Sequence, residues 1–181
     1  MKFQAIGMRT KVTDPNGLVI NTCGKNDTAE KGDPTSWAWS NPTNRIITHQ
    51  YEDIEAVSVE CLWQGTKMQE GQTKPNPEIL QGAWRKGKGR RPIGAYAGPG
   101  QPLICTPGAA RRRIYIPAFR NLINHWLYTD NEVAKWVADA KAWPGTVYLR
   151  DHDTGQGIDR NGPMSHAYLF SIWLNTGAWP A

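Results

Sequence analysis

The run Ser58-Val59-Glu60-Cys61-Leu62-Trp63-Gln64-Gly65-Thr66-Lys67-Met68 decides how the rest of this chain is read. Ser58 is an N-cap residue, Glu60 sits in the first turn, and Val59, Leu62 and Trp63 recur at helical spacing, which predicts a helix from Val59 to about Met68. On such a helix Glu60, Gln64 and Lys67 stand at i, i+4 and i+7 and form one stripe. A carboxylate, an amide and an ammonium in a row beside Trp63 suit the polar wall of a cleft. The same spacing also serves an ordinary exposed helix face, so the stripe takes its meaning from its surroundings.

Upstream, residues 1–53 read as loops and short strands, cut by turn signals such as Asp14-Pro15-Asn16-Gly17 and Gly32-Asp33-Pro34. Leu18-Val19-Ile20 and Arg45-Ile46-Ile47-Thr48 are the best strand candidates there. Downstream, a short helix is expected over Glu78 to Trp84, and a longer one over Arg111 to Tyr128, bent or delayed by Pro117. Thr129-Asp130-Asn131-Glu132 fits a capping box for a helix to about Ala142. Val147-Tyr148-Leu149 is a short strand, and a last helix covers Ser165 to Asn175 with Gly177 just beyond it. No repeat or linker divides the 181 residues. The expectation is one compact α+β domain, mostly helical with a few short strands.

Charge singles out one segment. The formal net charge is +5, yet no acidic residue lies between Glu78 and Asp130, where Arg85, Lys86, Lys88, Arg90, Arg91, Arg111, Arg112, Arg113 and Arg120 are concentrated. The rest of the chain is therefore net acidic. A concentrated positive field attracts phosphate esters, in a nucleotide or in a nucleic acid. In Trp84-Arg85-Lys86-Gly87-Lys88-Gly89-Arg90-Arg91 the glycines let backbone approach an anion and the arginine forks match phosphate oxygens. It is neither a Walker loop nor a GxGxxG dinucleotide pattern.

Other features narrow the classes. The three cysteines, Cys23, Cys61 and Cys105, are odd in number and widely spaced, which disfavours a disulfide framework or a zinc site and fits a reducing cytoplasm. Residues 1–14 carry charges and lack a signal-peptide pattern, and no apolar run is long enough for a bilayer, so no membrane partner is expected. Nine tryptophans suit a core with aromatic clefts. Trp126, Trp136, Trp143 and Trp173 read as interior, whereas Trp37, Trp39 and Trp63 sit among polar residues and are candidates for lining a pocket. Asp151-His152-Asp153-Thr154-Gly155-Gln156-Gly157 is a second polar cluster, in which glycines could bring carboxylates to a substrate. His152 and His166 lack metal-ligand spacing, and no metal or organic cofactor is expected.

The run from Ser58 to Met68 resembles the central motif of the NADAR (YbiA-like) superfamily, Ser-x-Glu-His-x-x-Gln-x-x-Lys-Phe. Trp37-Ala38-Trp39-Ser40-Asn41-Pro42 is similar to that family's aromatic-Ser-Asn stretch, and Ala83 to Arg90 lies in the place of its Ala-Lys-x-x-Gly-Arg segment. Asp151 to Gly157 resembles its Asp-x-x-Trp-Gly-x-Gly loop, followed by a closing helix at Ala167-Tyr168-Leu169-Phe170. Cys61, Thr154 and Met164 depart from the pattern, standing in place of its His, Trp and Asn. The resemblance, over residues 37 to 175, implies hydrolysis of a ribosyl–base N-glycosidic bond. The substrate would be ADP-ribose-like or phosphoribosyl, free or carried on nucleic acid, such as ADP-ribosylated guanine or a phosphoribosylamino-pyrimidine. In that reading Glu60, Lys67 and Asp151 are catalytic. Trp39, Asn41, Trp63, Gln64, Asp153, Gly155 and Gly157 line the substrate site, and Arg85, Lys86, Lys88, Arg90 and Arg91 hold phosphates. The rival expectation is a non-catalytic nucleic-acid- or nucleotide-binding protein using the basic residues of 85–91 and 111–113.

Overall fold

In the computed structural model, which describes residues 1–25 and 28–181, the chain folds as the expected α+β domain. Its central feature is a three-stranded parallel sheet. Strand β1 (Phe3–Gly7) and strand β2 (Leu18–Asn21) flank a strand from near the other end of the chain. Two small hairpin pairings stand apart from it. Strands β3 (His49–Tyr51) and β4 (Ile54–Ala56) form one; β5 (Lys67–Met68) and β6 (Gly94–Ala95) form the other. Helix α1 (Val59–Gly65) lies between these hairpins in sequence, and the short helix α2 (Pro77–Leu80) packs on it. Helix α3 (Pro107–Ala110) runs through a π-helical turn, Arg111–Tyr115, into α4 (Ile116–Thr129). Helix α5 (Asn131–Ala142), the central strand β7 (Val147–Asp151) and α6 (His166–Thr176) complete the chain.

The sheet sets where the site forms. β7 pairs in parallel with both neighbours, Phe3 and Leu18 each facing Val147, so all three strands end at the same edge. Val147, Leu149 and Asp151 share the inward phase of β7, and all three are buried. Period-2 alternation thus carries a carboxylate to the end of a core-facing row. Helix α6 packs on β1 and β7 and starts at that same edge. At its far end, Asn175 accepts from the Phe3 backbone N–H (3.0 Å) and donates to the Phe3 carbonyl (2.8 Å), clamping the outer strand.

Several boundaries differ from expectation for identifiable reasons. Residues 45–48 are not a strand: the Asn44 carboxamide accepts from the Ile46 N–H (3.0 Å) and turns the chain, so pairing begins at His49. Helix α1 stops at Gly65, and Lys67 belongs to β5. The helix expected over 78–84 covers only Pro77–Leu80, followed by a 3-10 turn at Trp84–Gly87. The long helix starts earlier than expected, at Pro107 with Thr106 as cap, and continues through Pro117. Pro117 has no N–H to return to the preceding turn, and the chain widens just before it, the Ile116 N–H bonding the Arg111 carbonyl. Asp130, one residue later than expected, caps α5 by accepting from the N–H groups of Glu132 and Val133. Strand β1 has no strong sequence signal of its own.

The tryptophans mostly build the core. Trp37 and Trp39 are fully buried against each other (5.6 Å between rings) and against Phe170. Their expected place on a pocket wall is therefore corrected: both rings are in the interior. Trp143, expected inside, is exposed and bonds the Asn16 carbonyl through its indole N–H.

Candidate active site

A cleft of about 690 Å³ opens beside α1, the π-turn and the carboxyl ends of the parallel strands. Helix α1 supplies one wall. Ser58 accepts from the Cys61 N–H (3.1 Å) and fixes the start of the helix, while Val59, Cys61 and Leu62 bury its inner face. That orientation leaves Glu60, Trp63 and Gln64 on the cleft. The Gln64 amide donates to Glu60 Oε1 at 2.8 Å, and Lys67 Nζ donates to Gln64 Oε1 at 2.8 Å. The stripe therefore survives the early end of the helix, as a continuous hydrogen-bonded row.

Lys67 also lies over the Trp63 ring, 5.1 Å from its centre. Burial lowers the pKa of its ammonium below the ordinary lysine value; Glu60 opposes this, while Arg111 and Lys88 reinforce it. A lysine of this kind deprotonates more readily than an exposed one and is correspondingly more available as a nucleophile.

The opposite wall is built by the end of β7 and the start of α6. Asp151 Oδ2 accepts from Ser165 Oγ (2.7 Å), from His166 Nδ1 (3.0 Å) and from the Ala167 N–H (3.4 Å). Its Oδ1 accepts from the Cys23 thiol and the Asp153 N–H. Burial alone would raise the Asp151 pKa, but the His166 charge and these hydrogen bonds outweigh it and hold the carboxyl far below the usual range. Both ring nitrogens of His166 face pure acceptors, Asp151 and the Thr22 carbonyl (3.1 Å), so the ring carries both protons. Burial works against that charge; the Asp151 carboxylate prevails and raises the pKa.

Asp151 lines the cleft as expected, and its oxygens are engaged by Cys23, Ser165 and His166. Asp153 is a second, exposed carboxylate on the cleft. The Cys23 sulfur, an Asp151 oxygen and a His166 nitrogen lie within 4.8 Å of one another, a donor set that suits a transition metal. Metal binding needs a thiolate and a neutral imidazole. Here burial and the Asp151 charge push the Cys23 thiol up to about 12 and the Asp151 carboxylate raises the His166 pKa, so binding a metal would release protons. The three groups are also linked by hydrogen bonds through Asp151.

The basic segment divides. Lys88 and Arg90 line the mouth of the cleft with Gly89. Lys88 lies 4.6 Å above the Trp84 ring, and Arg90 Nε donates to the Lys86 carbonyl (3.1 Å). Arg85 and Arg91 are exposed and off the cleft, and Lys86 pairs with Glu78 (2.6 Å). Gly87 is used for packing: a Cβ there would come within 2.9 Å of the Gln64 side chain, so the turn lies flat on α1. The 111–113 half is neutralised or buried. Arg112 pairs with Asp159 and Arg113 with Glu52, whereas Arg111 is buried and donates to the carbonyls of Ile158, Arg160 and Gly162.

Gly155 and Gly157 do not reach the cleft. The Gly155 carbonyl accepts from the Ser165 N–H (2.9 Å), closing the neck of the loop that Arg111 fastens. Asn41 lines the cleft as expected; its carboxamide oxygen accepts from the Thr43 N–H and hydroxyl. Cys23, Tyr115 and His166 were not expected at the site, and Arg111 was expected to bind only in the rival reading. Periodicity offered a signal for two of them: Arg111 and Tyr115 are one helical turn apart in the basic segment.

No curated protein and no solved structure matches the chain. A model of a family described as being of unknown function, DUF6939, matches residues 35–170. That span runs from just before Asn41, through the Glu60 row and the π-turn, to the Asp151–His166 pair, and the chain belongs to this family.

Proposed function

We propose that this cleft binds a phosphate-bearing ribosyl compound and hydrolyses its ribosyl–base N-glycosidic bond. The observation that carries the reading is the Glu60–Gln64–Lys67 row, bonded end to end on the wall of a cleft whose mouth carries Lys88 and Arg90. Carboxylates and a neutralisable lysine on one cleft with Lys88 and Arg90 suit a sugar and its phosphates. The similarity of Ser58–Met68 to the NADAR motif supports the same chemistry.

In this mechanism the C1′–N bond breaks with its electron pair passing to the base, which takes up a proton from solvent, balanced by the one the attacking water loses. Positive charge grows at C1′, and Glu60 and Asp153 stabilise it. Glu60 accepts a proton from the water whose oxygen adds to C1′. Lys67 either holds a sugar or phosphate oxygen, or its amine adds to an opened ribose aldehyde with loss of water. Borohydride reduction separates these, since only the covalent route leaves a stable adduct on Lys67.

The test is mass-spectrometric detection of base release from ADP-ribosylated guanosine in an oligonucleotide and from a phosphoribosylamino-pyrimidine. Wild type should release the base, and Glu60→Gln should lower the rate about 100-fold or more. Release that is unaffected by Glu60→Gln, or no release from either substrate, overturns the reading. Non-catalytic binding to nucleic acid finds less support, because the 111–113 cations are engaged within the protein.

A further inference from the structure

Tyr115 closes the π-turn and is buried, with its ring edge-on to Trp63 (5.6 Å) and stacked on Phe119 (6.0 Å). Both ring contacts fix its direction, and it lines the cleft. Its hydroxyl makes no hydrogen bond to any described residue. A buried phenol normally finds a partner, so an oxygen held on a cleft without one is set for a ligand. Burial, followed by the charges of Glu60, Asp151 and Asp153, pushes its pKa well above the ordinary value, so the group stays protonated and able to donate. All three carboxylates act on it through space and none bonds it. Arg111 opposes them, but the three carboxylates outweigh it, so the hydroxyl stands in a mainly acidic part of the cleft.

A sugar hydroxyl both donates and accepts. Beside carboxylates it donates to them and leaves its oxygen lone pairs facing inward, where a neutral donor completes the arrangement. We infer that the Tyr115 hydroxyl donates to a secondary hydroxyl oxygen of the bound ribose and thereby sets a preference for ribose over a deoxy sugar. This rests on the ribosyl reading above and names one contact within it.

The experiment is calorimetric binding of ADP-ribose and of its analogues lacking the 2- or the 3-hydroxyl of the terminal ribose, to wild type and to Tyr115→Phe. Phenylalanine keeps both ring contacts, and the unliganded melting temperature should be unchanged because no protein bond is lost. Wild type should bind ADP-ribose about tenfold more tightly than one deoxy analogue, the size of one hydrogen bond. Tyr115→Phe should lose that discrimination while binding that analogue as wild type does. Equal binding of all three ligands by wild type overturns the inference without any variant. So does a Tyr115→Phe protein that discriminates as well as wild type, or one that weakens all three equally. If wild type binds none of them, the ribosyl reading itself fails, a result distinct from either of the others.

Discussion

Single side chains here tie protonation to stability in opposite directions. His49 is buried with neither ring nitrogen bonded, and burial lowers its pKa to about 4. The folded state holds it neutral while the unfolded chain takes a proton near pH 6.5, so its contribution is intact above that pH and lost as pH falls toward 4. The loss approaches about 3 kcal/mol. Urea unfolding of His49→Leu against wild type should show the variant gaining relative stability between pH 7 and 4.5. His166 tilts the other way. Its raised pKa means that its contribution is present below about pH 6.5, the unfolded value, and lost as pH rises through the folded value. Imidazole NMR titration should find His166 charged at pH 7, and neutral at that pH in Asp151→Asn. Finding His166 neutral in the wild type would break the chain from Cys23 to His166.

Among the secondary elements, Ser165 has two tasks at once. Its hydroxyl accepts from the Tyr168 N–H as the cap of α6 and donates to Asp151. Ser165→Ala should cost about 2 kcal/mol in chemical denaturation, a lost cap together with a lost hydrogen bond to a charged group. It should also move the Asp151 titration upward. A cost well under 1 kcal/mol would mean that α6 is held by its apolar contacts alone. Caps and turn residues are also where the sequence was most legible. Ser58 and Gly177 act through groups within four residues and were read as caps; α5 and α6 start within two residues of expectation, while α1 ends three residues early. The stripe at Glu60, Gln64 and Lys67 was legible for the same reason. What was hidden depends on distant partners. Strand β1 exists because β7 lies beside it, and Trp39 is interior because Phe170 and Trp37 surround it. Arg111 reads as a surface cation until the carbonyls of residues 158–162 come to meet it. Asp151 was found for its chemistry, but its saturation by Cys23, Ser165 and His166 follows from tertiary assembly.

At the scale of the whole molecule, the positive charge is unevenly useful. Lys88 and Arg90 face the cleft, while Arg112 and Arg113 are spent on ion pairs with Asp159 and Glu52. Replacing Lys88 and Arg90 together by Gln should weaken ADP-ribose binding about tenfold and flatten its dependence on salt. The Arg112→Gln, Arg113→Gln pair should leave both unchanged. Equal effects from the two pairs would mean that a diffuse field, and not the cleft mouth, attracts phosphates. The same scale governs assembly. The middle strand of the parallel sheet, β7, comes from residues 147–151, and both of its neighbours come from the first 21. A ribosome must therefore release most of the chain before the sheet can close, and until then β1 and β2 have no strand between them. Closure of the parallel sheet waits on residues 147–151, with a long loop to close before its first contact is gained. A nascent chain arrested short of residue 147 should be protease-sensitive throughout its sheet-forming segments. The candidate site, lying at the edge where all three strands end, forms only once that sheet has closed.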